Sequence, residues 1–470
     1  MRRKNQILVV IGLLTTLFAC HTYSDLPSYS VQKNTDWKTQ RIEAEPQITN
    51  GDAERGFDYI LNGDYVGGGI PYGLFKKRGA KIIKKVGKSN PANEDLPYFT
   101  NVFETQNGTK VVTGNCFTCH AAPLDGEIYL GIGNYASDYR ANLSSFGKVM
   151  TKVVNVSYGK ESTAAADFQD FNRYLSAIAP AIETDQIGSN PAARLAEACM
   201  QHRNPCDLTY TAEEQYPSDD FNIACDVPPL WHVKKKNALY YNANGKGDFT
   251  KLLMQASVLG IPDSTYARAV QKNFVDVLAW LESLEPPKYP YEVDASLANE
   301  GKALFEKNCS SCHGTYGEKE TYPNKVVNLN LLKTDSLYAT YALSSNITDW
   351  YNKSWFATSQ PRSRLEPHYG YIAPPLDGIW ATAPYLHNGS VPTIDALLNS
   401  KTRPTYWNRN IENYEFDEVK VGWQYKGKGD GSGKMTYDTT IPGYGNGGHY
   451  FGDKLKDEER KAVLEYLKTL

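Results

Sequence analysis

Past residue 20 the chain has no long apolar run, and 53 acidic against 50 basic residues leave a net charge of only −3. The first absence predicts a water-soluble body, in keeping with a mean hydropathy of −0.51. The second removes any overall pull toward nucleic acid or another polyanion. Histidine and methionine are scarce, at 8 and 5 copies, so imidazole and thioether ligands can come from few positions. No P-loop, Rossmann glycine pattern or protease signature is present. Tyrosine is plentiful instead, at 33 copies, and reads as serving exposed sheets and loops rather than a radical relay.

The 470 residues suffice for two or three domains. Arg2, Arg3 and Lys4 form a basic start, and Ile7 to Ala19 is an apolar stretch too short for a comfortable span. It runs into Leu17-Phe18-Ala19-Cys20, which resembles the lipobox of bacterial lipoproteins. Residues 1–20 are therefore expected to be a lipoprotein signal with Cys20 as the lipidated residue. An ordinary secretory signal is the alternative, and both export the chain. The expected location is the periplasmic side or surface of a bacterial cell, with membrane attachment through the lipid. Residues 21–49 are polar and aperiodic, and read as a flexible tether.

Two segments carry the chemistry: Cys116-Phe117-Thr118-Cys119-His120 and Cys309-Ser310-Ser311-Cys312-His313. Cysteines three apart share one face of a helical turn, where both thiols can reach the two vinyl groups of one porphyrin. The adjacent histidine can then ligate the iron. A zinc ribbon would need its second cysteine pair far closer than the one found here. The motifs thus predict two covalently bound haem c groups on Cys116, Cys119, His120, Cys309, Cys312 and His313. The other cysteines, Cys199, Cys206 and Cys225, predict one structural disulfide in an oxidising compartment, with the pairing open.

The sixth ligand of each iron separates electron carriage from oxidant chemistry. No histidine follows His120 until His202, and Met150, the nearest thioether, reads equally as core. The first haem is therefore expected to be five-coordinate or weakly capped. Downstream of His313 stand only His368, His387, His449 and Met435. His449, in the glycine-rich stretch Asn446–Gly452 before the last helix, is the favoured second ligand, with His387 the alternative.

The fold expected is mainly α, with two cytochrome c-type domains. Residues 50–288 form the first, enlarged by a helix-and-loop insertion near residues 155–248, and residues 289–470 form the second. Val277-Leu278-Ala279-Trp280-Leu281-Glu282-Ser283-Leu284 and Val463-Leu464-Glu465-Tyr466-Leu467-Lys468-Thr469-Leu470 close the two units as near copies. Leu297, Gly301, Leu304 and Phe305 predict a helix before the second motif, with Gly301 and Phe305 meeting Tyr466 and Leu467. Before the first motif, Lys110–Thr113 looks strand-like. The basic run Lys76, Lys77, Arg78, Lys81, Lys84, Lys85 and Lys88 reads as a solvated face.

Tyr371–Ser390, with its Pro384-Tyr385-Leu386-His387-Asn388-Gly389-Ser390 core, resembles the di-haem cytochrome c peroxidase and MauG superfamily. Val227-Pro228-Pro229-Leu230-Trp231-His232 and Gly448-His449-Tyr450-Phe451-Gly452 bring it nearer the rubber oxygenase RoxA-like branch, over about residues 51–470. The resemblance implies a reactive haem on His120 and a bis-histidine electron-transfer haem on His313 and His449. It makes Trp231 either an electron relay between them or a buried core aromatic. It further implies a small oxidant, O2 or peroxide, or a redox partner protein, no nucleic acid, and calcium between the domains. The missing histidine soon after His120 departs from the peroxidases and favours the oxygenase-like branch. The shorter chain and the lipobox argue against polyisoprene as substrate. An electron-transfer cytochrome with two six-coordinate haems is the alternative function.

Overall fold

The computed structural model describes residues 38–217, 225–411 and 415–470. The signal segment, Cys20 and the first part of the tether lie outside them. Among the described residues eight helices have ten residues or more: α1 (Ala53–Asn62), α2 (Tyr72–Val86), α3 (Ser144–Tyr158), α4 (Thr163–Ala181), α5 (Ala192–Gln201), α6 (Ser264–Ser283), α7 (Ala295–Asn308) and α8 (Asp457–Leu467).

Their boundaries follow from capping chemistry. The Asp263 carboxylate accepts from the Thr265 and Tyr266 amides to open α6, and Asp294 does the same for α7 through Ser296 and Leu297. Asp52 caps α1 through the Arg55 amide. Helix α8 begins with Asp457, Glu458 and Glu459, three acidic side chains at the positive end of the helix dipole. The apolar face of α6 (Ala267, Val270, Phe274, Val277, Leu278 and Leu281) is buried, and Pro286-Pro287 follows its end.

Two helix pairs repeat one geometry. Helix α1 crosses α6 so closely that a Cβ on Gly56 would lie 2.0 Å from the Asp276 carbonyl oxygen. Helix α7 crosses α8 in the same manner, with a Cβ on Gly301 falling 1.8 Å from the Ala462 carbonyl oxygen. Asp276 and Ala462 each immediately precede the matching Val-Leu of the closing segments, so the crossings are equivalent residue for residue. Only glycine lets two backbones approach this closely. Aromatic rings fill the next layer: Phe57 stacks on Trp280 with centroids 5.3 Å apart, and Phe305 meets Tyr466 at the same 5.3 Å. The expected contact of Gly301 and Phe305 with Tyr466 is therefore present.

Helix covers 41% of the chain and strand 15%, a mixed content rather than a mainly α one. The strands come from segments outside these paired helices. β2 (Ile70–Pro71), β3 (Thr100–Glu104) and β4 (Lys110–Gly114) form a sheet in the order β2-β4-β3 just ahead of the first motif. β1 (Gln40–Arg41), β5 (Lys325–Asn328) and β6 (Gly370–Ile372) form another, in the order β1-β5-β6.

Three expectations need correction. Residues 38–49 do not behave as tether: β1 pairs with β5, Ile42 is buried, and Glu45 forms an ion pair with Arg364. No disulfide joins Cys199 to Cys225: both are free thiols, Cys199 facing the core from α5 and Cys225 buried beside the Asn190 carbonyl, while Cys206 is exposed. Many tyrosines are interior. The Tyr65 hydroxyl donates to the Ile60 carbonyl, that of Tyr437 to the Asn388 carbonyl, and that of Tyr351 is hydrogen-bonded to the Ser363 hydroxyl. A paired hydroxyl removes most of the cost of burying a phenol.

Candidate haem sites

The two Cys-x-x-Cys-His segments fold alike. In the first, the Asn115 side chain caps a short 3-10 turn over Cys116–Thr118, and the His120 amide donates to the Cys116 carbonyl at 2.9 Å. In the second, a turn of helix over Ser310–His313 continues from α7, and the His313 amide donates to the Cys309 carbonyl at 3.0 Å. In each case one turn brings two thiols and an imidazole together. All four thiols are free and half-buried.

Behind each histidine lies the same second element. The His313 Nδ1 pairs with the Pro374 carbonyl at 2.9 Å, leaving Nε2 as the free coordinating nitrogen. His120 lies toward the Pro228 carbonyl, which partly offsets the depression of its pKa, but its buried Nδ1 makes no hydrogen bond. Pro228 and Pro374 open the matching stretches Pro228-Pro229-Leu230 and Pro374-Pro375-Leu376. This internal repeat was legible in the sequence as an X-Pro-Pro-Leu pair, yet its distance from the motifs concealed its role.

On the far side of His313 stands His449, their ring centroids 6.2 Å apart and their planes inclined at 61°. That separation leaves room for one metal atom between two coordinating nitrogens at about 2 Å each. Backbone geometry holds His449 there. Its φ is +50°, its amide donates to the Leu332 carbonyl, and the preceding Gly448 has φ +79° with a would-be Cβ only 2.2 Å from the Thr334 nitrogen. Arg403 secures the same loop by donating to the Asn446, Gly448 and His449 carbonyls and to Ala396 and Leu397. An arginine whose hydrogen bonds all go to backbone carbonyls leaves no motif, so nothing in the sequence pointed to it.

The other histidines are engaged elsewhere. His387 stacks on Tyr371 with centroids 4.1 Å apart, among Tyr241 and Tyr338, rather than across from His313. His368 pairs with Gln40, His202 with the Thr211 carbonyl, and His232 with the Asp377 carbonyl. Among the described residues no second imidazole is paired with His120 as His449 is with His313. Met150 is a core residue of α3.

The electrostatics suit coordination. Burial pushes His120 down to about 4 and His449 down to about 3, the latter helped by His313 and Arg403, and it lowers His313 as well. All three are therefore neutral near pH 7, the form in which an imidazole can coordinate a metal. Each of the three residues is half-buried, with the Nδ1 atoms of His120 and His449 enclosed by protein. With four unpaired thiols beside them, these residues fit thioether-bound haem.

Trp231 lies between the two sites. It follows Pro228 by three residues, and its indole N–H donates at 2.8 Å to the carbonyl of Asp377, which follows Pro374 by three. Its ring lies against Gly131, whose amide donates to the His120 carbonyl. His232 donates to the same Asp377 carbonyl at 2.9 Å, and the Lys235 ammonium donates to the Asp377 carboxylate at 2.6 Å. For calcium no acidic cluster offers itself, since no group of three or more metal-binding side chains is gathered among the described residues.

Residues 298–368 match the cytochrome c family model, and residues 370–408 match the model described as RoxA-like, cytochrome c-like. A cytochrome c domain is present. It implies covalently bound haem c and a part in redox or electron-transfer chemistry. The matched segments contain the second motif, Pro374 and His387. The chain is also similar to two proteins of Sinorhizobium fredii, each described as an uncharacterized protein. One, y4iJ, is 30% identical over 253 residues, 40% of this chain and 41% of that protein. The other, y4iM, is 28% identical over 307 residues, 56% of this chain and 68% of that protein.

Proposed function

We propose that this cytochrome is an exported di-haem oxidoreductase of RoxA-like type, with one haem domain built on α1 and α6 and the other on α7 and α8. The observation that carries the reading is an asymmetry. His313 has an imidazole facing it at 6.2 Å, whereas His120 has none among the described residues. Haem held there would supply one-electron chemistry, and His120 as the single protein imidazole would leave room for a small oxidant such as O2 or peroxide.

The residues then divide their work. Cys116 and Cys119 tether the first group, and His120, held neutral by burial, is its single imidazole. Cys309 and Cys312 would tether the second, with His313 and His449 as the residues that would hold its iron, and two neutral imidazoles would favour electron transfer over ligand exchange. The Pro374 carbonyl orients His313 and raises its basicity, as second-layer acceptors do. The bond from the Trp231 N–H to the Asp377 carbonyl links the two proline elements. It offers electrons a packed route.

Optical and EPR spectra of the purified protein test this directly. One high-spin and one low-spin haem are expected, with CO and peroxide perturbing only the high-spin component. Two low-spin haems indifferent to CO, O2 and peroxide would leave a pure electron carrier. Trp231→Phe keeps most of the ring but loses the N–H donated to Asp377. Stability is expected to fall by about 1 kcal/mol, and stopped-flow traces should show slower electron exchange between the haems with both Soret bands intact. An unchanged exchange rate would reduce Trp231 to a core aromatic.

A further inference from the structure

Ten large apolar side chains are exposed among the described residues, and six of them lie on or beside one helix. Leu143 precedes α3, and Phe146, Val149, Val153, Val156 and Tyr158 lie along it, with Val156 88% exposed. Phe146, Val149, Val153 and Val156 are spaced three, four and three apart, which sets them in one stripe. The remaining four (Leu331, Val419, Met435 and Tyr450) occur singly, as scattered surface apolar residues do.

The stripe is not a core face turned outward by accident. Another face of α3, carrying Gly147, Met150 and Val154, is buried, and Thr151 on α3 accepts from Gln169 and Asn172 of α4. A Cβ at Gly147 would lie 2.3 Å from the Asn172 side-chain oxygen, so α3 sits tightly on α4 and its rotation is fixed. Exposed Lys148 and Lys152, one turn apart, run along the edge of the stripe away from the core. At the C-terminal end the Tyr158 hydroxyl reaches Gly73 in the first turn of α2. That helix carries exposed Lys76, Arg78, Lys81, Lys84 and Lys85.

We propose that α3 is an in-plane membrane contact that seats this face of the protein on an anionic lipid bilayer. Apolar side chains would enter the boundary between headgroups and acyl chains while the flanking lysines meet the phosphates, the pattern of interfacial amphipathic helices. Charge decides among occupants. A second copy would bring Lys148 and Lys152 toward their own counterparts across a two-fold axis, and a neutral hydrocarbon would leave them unmatched. Among the described residues no helix is long and apolar enough to cross a membrane, so this contact lies on the surface. It is independent of acylation at Cys20, which the sequence separately predicts.

Flotation with vesicles tests the proposal. The haem-loaded chain is exported on a cleavable signal and begins at residue 21 in every sample, so that neither an acyl chain nor the apolar stretch Ile7–Ala19 contributes. It is expected to float with vesicles of phosphatidylcholine mixed with phosphatidylglycerol and much less with phosphatidylcholine alone. The triple change Val149→Asp, Val153→Asp and Val156→Asp should lower partitioning at least about tenfold, and Lys148→Gln with Lys152→Gln should lower it severalfold. All three valines are exposed, so the variants should keep the parent Soret bands and melting temperature. Equal flotation of parent and triple variant would overturn the proposal, as would equal binding to the two vesicle types. So would a dimer formed without vesicles and abolished by the same substitutions, which would assign the stripe to a second copy.

Discussion

Replacing His449 with alanine is expected to turn the haem on His313 high-spin and open it to CO, while the haem on His120 is unaffected. The parent protein should then show about half of its haem low-spin and the variant almost none. The geometry leaves little freedom in this outcome. His449 is the ring opposite His313, their separation fits one bridging metal, and the His313 Nδ1 is already occupied by the Pro374 carbonyl. His387→Ala provides the contrast. That ring is stacked on Tyr371, so its loss should lower stability without changing either spin state. If His387→Ala produces the high-spin conversion instead, the ligand assignment is wrong. Arg403→Ala offers a graded version. Its side chain makes five donations to backbone carbonyls around the His449 loop, and removing a charged donor of this kind costs about 2–4 kcal/mol. The variant should keep His449 ligation at low temperature and lose it on warming earlier than the parent, followed by the fading of the low-spin spectrum.

What the sequence made legible was local. A cysteine spacing of three needs only one helical turn to acquire meaning, and the helix Ala295–Asn308 declares itself through Leu297, Gly301, Leu304 and Phe305 immediately before Cys309. The first half hides the same design because its parts are scattered. Gly56, the counterpart of Gly301, precedes its motif by 60 residues (116 minus 56) with a sheet between, against 8 (309 minus 301) in the second half. Pro228 follows His120 by 108 residues, whereas Pro374 follows His313 by only 61. Insertions of this length cost little in loop-closure entropy, so the fold tolerates them while the pattern in the chain dissolves. Other features have no linear signature. Arg403 recognises carbonyl oxygens that every residue possesses, and the interior tyrosines are made bearable by partners that only the folded chain supplies. Cys199 and Cys225 are buried as small apolar groups, a common fate of free cysteine that cysteine counting could not distinguish from a disulfide.

Gly301→Val is expected to be among the most destabilising single changes in the second half, and Gly56→Val its counterpart in the first. At Gly301 the first added carbon would fall 1.8 Å from the Ala462 carbonyl oxygen and 3.0 Å from the Tyr466 Cβ. The obstacle is helix backbone, which no rotamer change can move aside. Helices α7 and α8 must separate, and Phe305 and Tyr466, now 5.3 Å apart, lose their contact. Overpacking alone costs about 1–3 kcal/mol. Here the loss of aromatic contact adds to it, so a fall of about 3 kcal/mol or more is expected in denaturant titrations. The site consequence differs between the halves. Helix α7 runs directly into Cys309, whose amide donates to the Phe305 carbonyl, so the second haem should be attached less efficiently in Gly301→Val. Helix α1 instead reaches its motif through Tyr65, whose hydroxyl donates to the Ile60 carbonyl and accepts from the Cys116 amide. Gly56→Val should therefore loosen the first site by way of that hydroxyl, and Tyr65→Phe should reproduce part of the defect with the helix pair intact. Equal stability of parent and Gly301→Val would mean that the α7–α8 crossing does not hold the second unit together.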